Sequence, residues 1–160
     1  MPIGRCLRQK KYSVIVAISN QGIVHYKVLE RNCNTLEFLE FCKELNVPYG
    51  TKIVMDNIGF HKNRDVQSHL QTKGIETFFI PPYSPKTNPI EMLFGVIKSR
   101  YRKVCYSSCT NIQYKDLFTS IIESFRNTDL SSYYDHVATF LNETTFRLLN
   151  DPNFHFRGYD

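Results

Sequence analysis

No stretch of this 160-residue chain is apolar over the roughly 18–20 consecutive positions that a membrane helix requires. A secretory leader is lacking too, because the basic start MPIGRCLRQKK runs into Lys10, Lys11 and Tyr12 instead of a long apolar segment. These absences exclude a helical membrane protein and leave a soluble, intracellular protein as the expectation. Cysteine is scarce and scattered, with five residues at positions 6, 33, 42, 105 and 109. An odd, unpatterned set excludes a disulfide framework and suits a reducing compartment. Cys105 and Cys109 stand one helical turn apart, but no histidine or second cysteine pair lies near them at zinc-finger spacing. They read as small thiols in or near the core. Repeats, low-complexity tracts and linkers are wanting as well, and with them any sign of a domain boundary. One domain over 1–160 is expected, its motifs within 12–104 and its closing helices over 111–150. A last absence bears on chemistry: residues 1–55 contain no aspartate.

Hydrophobic residues make up 42% of the chain and aromatics 14%, enough for a folded protein with a real core. The net charge of +5 permits a polyanionic partner without demanding one. Its distribution says more, with GRCLRQKK at the start and KSRYRK at 98–103. Taken alone, either cluster is as readily a solvated face as a binding surface.

Residues 12–18 and 23–29 are β-branched and aromatic and flank Ser-Asn-Gln-Gly, which predicts a hairpin turning at Asn20–Gly22. Asn34 or Thr35 caps a helix with Leu36, Leu39 and Phe41 on its buried side, ending near Val47-Pro48. A short strand, TKIVMD, stops at Asp56; a helix over 62–73 follows, closed by Gly74; then comes the strand IETFFI. Each of these single strands is apolar and followed by helix, which predicts parallel neighbours buried on both faces. Three helical stripes occupy the remainder: Ile90, Leu93, Phe94, Ile97 and Tyr101; then Leu117 to Phe125; then Val137, Phe140 and Leu141. The class is α/β, a sheet covered by helices.

Asp56 ends an apolar strand just before a polar loop holding His61. Ligands of open α/β sheets gather at the carboxyl ends of strands, so a carboxylate there is placed to hold a cation. Capping of its own turn explains it equally well. Glu91 follows the proline-rich approach PPYSPKTNP, with Asn88 at the N-cap and Pro89 at the first helical position. A capping box, in which Glu91 reaches back to the cap amide, is a sufficient structural explanation. The pair is more telling than either residue. Thirty-four residues, 57–90, lie between them, and a helix plus one parallel strand returns the chain to the same end of the sheet. Two carboxylates within roughly 8 Å would suit Mg²⁺, which takes few protein oxygens and keeps several waters.

VMDNIGFH followed by IPPYSPKTNPIEMLFGVIKSR resembles the second and third catalytic blocks of the Tc/mariner transposases. The 34-residue interval ending in glutamate matches the Tc branch. The resemblance covers residues 12 to about 104. It implies a ribonuclease H-like mixed sheet flanked by helices and an acidic triad holding two Mg²⁺ or Mn²⁺ ions. Such enzymes cut DNA at element ends with water, then join the freed 3′-hydroxyl to a target. By motif position Asp56 is the second acidic metal ligand and Glu91 the third. Asn57 and His61 stand beside the site, Tyr83, Ser84 and Pro85 shape the loop to Glu91, and Asn88 caps its helix. Lys98, Arg100, Arg102 and Lys103 contact phosphates. The implied partner is double-stranded DNA, as transposon ends and target; a homodimer and a nuclear location follow from the same resemblance.

Two departures from the pattern stand out. Lys86 occupies a loop position where the family commonly has aspartate. More seriously, the family's first catalytic aspartate lies on a strand upstream of the hairpin, and no aspartate precedes Asp56. Glu30, Glu37, Glu40 and Glu44 follow the hairpin and do not replace it by motif. In this fold the missing strand lies centrally, between the hairpin and the strand ending at Asp56, so its loss leaves open backbone edges. The chain thus reads as the downstream part of a longer transposase, without a helix-turn-helix and inactive by itself. The alternatives are a domesticated or decayed DNA-binding remnant without catalysis, or another ribonuclease H-like nuclease such as a resolvase. The Pro-Pro-Tyr-Ser-Pro block argues against the last.

Overall fold

The computed structural model describes residues 12–81, 84–107 and 114–149. The chain divides into two compact units, Met1–Ser19 with Ile23–Phe79, and Asn20–Gly22 with Ile80–Asp160.

The first unit opens with β1 (Ser13–Ser19) and β2 (Gly22–Leu29), hydrogen-bonded neighbours joined by two residues. A two-residue connection permits only an antiparallel hairpin, as expected. Helix α1 (Thr35–Glu44) follows, its first turn held by Asn34 Oδ1, which accepts from the Glu37 N–H at 2.9 Å. Its buried positions are Glu37, Phe38, Phe41 and Cys42. The expected buried side was partly wrong: Leu36 is 70% exposed. Phe38, Phe41, Cys42 and Leu45 form the fuller stripe, and Leu36, two residues from Phe38, lies about 200° around the helix from it. The helix also stops earlier than expected, at Glu44, with Leu45 as its cap.

Glu37 is 4% exposed, the only buried charged residue among those described. Arg31 hydrogen-bonds its Oε1, and Lys27 Nζ lies 3.7 Å from Oε2, so the buried carboxylate is paired. Lys27 also donates to Glu40 at 2.9 Å, and His25 lies 3.2 Å from Glu44. Three of the glutamates after the hairpin thus tie β2 and the loop behind it to α1.

Strand β3 (Lys52–Met55) pairs in parallel with β4 (Glu76–Phe79), Lys52 opposite Glu76 and Met55 opposite Phe79. Between them run a 3-10 turn (Gly59–Lys62) and helix α2 (Arg64–Thr72). Asn63 caps α2 through the Asp65 N–H, and Gly74, at φ +69°, turns the chain out of it. One core joins these pieces: Phe38, Phe41, Cys42, Met55, Val66, Leu70 and Ile75, with Ile15, Ala17, Ile53 and Phe79 against it. Both strand pairs press on this core, yet they form two separate two-stranded sheets. Burial of β3 and β4 on both faces does not hold. Met55 is buried, but Val54 is 58% and Phe78 47% exposed, so only the face toward α1 and α2 is covered.

The second unit holds α3 (Pro89–Ser107), α4 (Tyr114–Glu123) and α5 (Ser131–Leu149). Leu93, Ile97, Ile122 and Leu130 are its most buried side chains, and Tyr101 meets Phe118 edge-on. Leu141, expected on the buried stripe of α5, is 43% exposed. Gly22 belongs here. At φ +123°, any Cβ would strike the carbonyl oxygens of Arg126 and Phe125 at 2.5 and 2.6 Å.

Lys73 fastens the end of α1. Its ammonium donates to the carbonyls of Cys42, Lys43 and Leu45 at 3.0, 2.7 and 3.0 Å, groups a helix end leaves without partners. Replacing Lys73 with Met is expected to cost about 1–3 kcal/mol in urea unfolding, the worth of charge-assisted hydrogen bonds lost from half-buried groups. An unchanged urea midpoint would show that the carbonyls are satisfied without it.

Candidate active site

Asp56 stands one residue beyond β3, at the carboxyl end of the strand, as its sequence position predicts. The chain then bends through the 3-10 turn, which brings His61 back against it. His61 Nδ1 lies 2.6 Å from Asp56 Oδ1 and 3.1 Å from the Asp56 carbonyl oxygen. By direction the ring N–H donates to the carbonyl. The carboxylate contact is short but off-axis, so Oδ1 is buried without a well-directed hydrogen bond. The Asp56 side chain as a whole is 47% exposed and the His61 side chain 13%.

Two aromatic rings hold the imidazole. Phe38 from α1 lies 4.3 Å away between ring centres, and Phe60 meets it edge-on at 4.6 Å. The turn is tied down from behind, since Gln67 of α2 donates to the His61 carbonyl at 2.6 Å and accepts from the Thr77 hydroxyl of β4 at 2.7 Å. Sequence reading missed Phe38, Gln67 and Thr77. Phe38 has the spacing of an ordinary core residue, and a side chain bonding a backbone carbonyl six residues back follows no periodic signal. Asn57, expected beside the site, is half-buried next to Asp56.

Glu91 lies in the first turn of α3, in the second unit. Asn88 is the cap: its Oδ1 accepts from the Ile90 N–H at 3.2 Å, and its carbonyl from the Glu91 N–H at 3.2 Å. The reciprocal half of a capping box is not formed. Among the described residues the exposed Glu91 carboxylate meets no hydrogen-bond or ion-pair partner. A free carboxylate at a helix N-terminus is favoured by the positive end of the helix dipole and stays available to a cation. Tyr83 lies outside the described residues, as does the side chain of Pro85. The Ser84 carbonyl accepts from the Thr87 N–H and hydroxyl, closing the approach to α3. Lys86, the departure from the family pattern, sits over the Phe140 ring at 5.9 Å.

Helical geometry divides the basic cluster. At 100° per residue Glu91, Gly95, Lys98 and Arg102 fall on one face of α3, while Arg100 lies opposite. Lys98 and Arg102 are exposed and have no partner among the described residues. They follow Glu91 by about 10 and 16 Å along the axis at 1.5 Å per residue. Arg100 instead stacks over Phe125 at 4.5 Å and reaches the Ser124 hydroxyl at 3.4 Å. Lys103 lies a further part-turn from Lys98 and is exposed. Among the described residues no group of three or more His, Cys, Asp or Glu gathers to hold a metal. No described helix is long and apolar enough to cross a membrane.

Residues 5–113, which are 109 of the 160, match the family model described as DDE superfamily endonuclease. No curated protein matches the chain. Among solved structures, the Mos1 strand transfer complex aligns at 19% identity and a TM-score of 0.63, over 86% of this chain and 42% of that one. The Mos1 transposase catalytic domain with raltegravir and Mg aligns at 16% and 0.59, over 90% and 76%. The Mos1 paired-end complex with the left transposon end aligns at 17% and 0.63, over 93% and 46%. The chain therefore spans less than half the length of the full Mos1 chains. At these identities the likeness establishes the fold, the ribonuclease H-like arrangement.

The division of the cluster has a measurable consequence. Arg100→Ala is expected to lower stability by about 1 kcal/mol, through loss of the ring contact and the hydroxyl bond. Lys98→Ala and Arg102→Ala should stay within about 0.5 kcal/mol of the parent, as exposed substitutions do. Thermal unfolding of the three variants checks this, and equal losses at all three would erase the distinction between faces.

Proposed function

Because the chain belongs to the DDE superfamily of endonucleases, we propose that it is the catalytic core of a cut-and-paste DNA transposase of the Tc type. Both units serve one catalytic domain in this reading, and Asp56 and Glu91 are two of its acidic metal ligands. The observation that carries the reading is the state of the two carboxylates. Asp56 has one oxygen buried against His61 and the rest of its carboxyl group open. Glu91 stands at a helix start with no partner among the described residues. Two such oxygen donors suit a hard divalent cation, Mg²⁺ or Mn²⁺. Bound there as a pair, the ions supply charge stabilisation to the attacking and leaving oxygens of phosphoryl transfer.

The chain's own residues do the rest. Asn88 and Pro89 start α3 and so fix Glu91 in its first turn, while Asn57 and Ser84 border the site; the motif role of Tyr83 rests on the sequence alone. Lys98 and Arg102 lie on the Glu91 face, where they neutralise phosphates of a duplex whose scissile bond is at the carboxylates. Transposon ends and target DNA are the substrates in this reading. A homodimer and a nuclear location rest on the sequence resemblance alone.

By motif a third carboxylate precedes both ligands, and residues 1–55 contain no aspartate to supply it. The second reading is a DNA-binding remnant without catalysis, which would hold if no upstream carboxylate joins Asp56 and Glu91. Under the main proposal the 160 residues alone hold an incomplete site and cut DNA several powers of ten more slowly than a complete one, the scale of losing one ion's stabilisation. Adding an upstream segment that carries a strand with the family's first aspartate should restore cleavage. A strand-cleavage assay with Mn²⁺, run beside Asp56→Ala, decides this. Robust Asp56-dependent cutting by the chain alone would show that another residue completes the site, and no cutting even with the segment supplied would favour the remnant.

Duplex DNA binding provides the second test. Sequence-independent affinity should fall with salt, and Lys98→Ala with Arg102→Ala should reduce the log–log slope by about two units, near 0.9 per phosphate contact. Adding Arg100→Ala and Lys103→Ala should change it less. A slope untouched by all four substitutions would move the DNA surface elsewhere.

A further inference from the structure

We propose that His61 is a positioning residue for Asp56, clamping one carboxylate oxygen so that only the other faces the cation. The inference rests on the metal reading above and refines it: the strand-end ligand binds through a single oxygen.

Three observations carry it. First, Nδ1 of His61 faces two acceptors, Asp56 Oδ1 at 2.6 Å and the Asp56 carbonyl at 3.1 Å. The carbonyl oxygen can only accept, so that hydrogen bond needs the hydrogen on Nδ1, while Oδ1 is pressed against the same nitrogen in a close, off-axis contact. Second, the ring has little freedom. It is 13% exposed, lies on Phe38 and Phe60, and its backbone carbonyl is bonded by Gln67. Third, the carboxylate is asymmetric. Oδ1 is buried, yet the side chain as a whole is 47% exposed, so the exposure lies on the rest of the side chain, Oδ2 and its carbons.

A carboxylate held in this way cannot present both oxygens to one ion without leaving the imidazole. Single-oxygen binding fits Mg²⁺ and Mn²⁺, which favour compact octahedral shells that retain water, over Ca²⁺, which accepts two-oxygen carboxylates in larger shells. His61 therefore contributes to the choice of metal as well as to affinity. Partners that orient a metal ligand in this manner typically matter by about ten- to a hundred-fold in metal affinity.

The test uses the 160-residue chain and Mn²⁺ or Ca²⁺ alone. Calorimetry should show Mn²⁺ affinity falling about ten-fold or more in His61→Ala, with the preference for Mn²⁺ over Ca²⁺ narrowing. His61→Asn, whose amide nitrogen stands near the place of Nδ1, should recover most of both, and His61→Gln should not. Nitrogen-15 spectra of the parent should show the Nδ1–H tautomer, and Asp56→Ala should disturb that resonance. Unchanged affinity and unchanged preference in a folded His61→Ala chain would overturn the role while leaving the metal site intact. A parent chain that shows the Nδ1–H tautomer but binds no Mn²⁺ would remove the metal reading itself, and with it the role, leaving the contact as a lock on the turn. An Nε2–H tautomer would overturn the clamp directly.

Discussion

Four residues of β3 lie beside four of β4, running the same way, with Met55 opposite Phe79. A tight turn cannot join parallel neighbours, so the chain must cross over, and α2 is that crossover. The crossing puts Val66 and Leu70 onto the sheet face that Met55 and Phe79 present, and α1 closes the same core through Phe38 and Phe41. Pairing in this register also decides where chemistry can sit. Asp56 follows Met55 directly, at the end of the ladder from which β4 sends the chain on toward Glu91. The core then serves the site a second time, because Phe38 is both a core residue and the shelf for the His61 ring.

Much of this was legible in the sequence, and the failures have physical causes. The hairpin, the parallel strand pair, the crossover helix and Gly74 as its exit all follow from periodicity and turn chemistry. Local patterns specify them, and the structure keeps them within a residue or two. The sidedness of α1 was misjudged because Leu36, Leu39 and Phe41 look like a stripe, while the stripe through Phe38, Cys42 and Leu45 fills the core better. Accepting it meant burying Glu37, which is tolerable only because Arg31 and Lys27 reach it. Such pairing depends on residues from another element and leaves no trace in a local window. The open face of β3 and β4 was missed for a related reason: Val54 and Phe78 are as apolar as buried strand residues, and composition alone does not tell which face is covered.

At the candidate site the sequence identified the residue types, and the structure supplies their states. Asp56 and His61 are five residues apart, and only the 3-10 turn turns that spacing into contact. Glu91 had a sufficient structural explanation as a capping box, yet Asn88 caps the helix alone and leaves the carboxylate without a partner among the described residues. The basic cluster looked uniform in sequence. Wound onto a helix it splits, with Arg100 spent on Phe125 while Lys98 and Arg102 share the Glu91 face.

The central proposal is that Asp56 and Glu91 are ligands of the same metal site, and paramagnetic broadening by Mn²⁺ tests it most directly. In nitrogen-15 spectra of the full chain, substoichiometric Mn²⁺ should broaden the amide resonances of Asn57 and Glu91 together, at one midpoint. Asp56→Ala should weaken the broadening at both positions. Broadening at one of the two alone, or at each with its own midpoint, would place the two carboxylates in different sites and contradict the account.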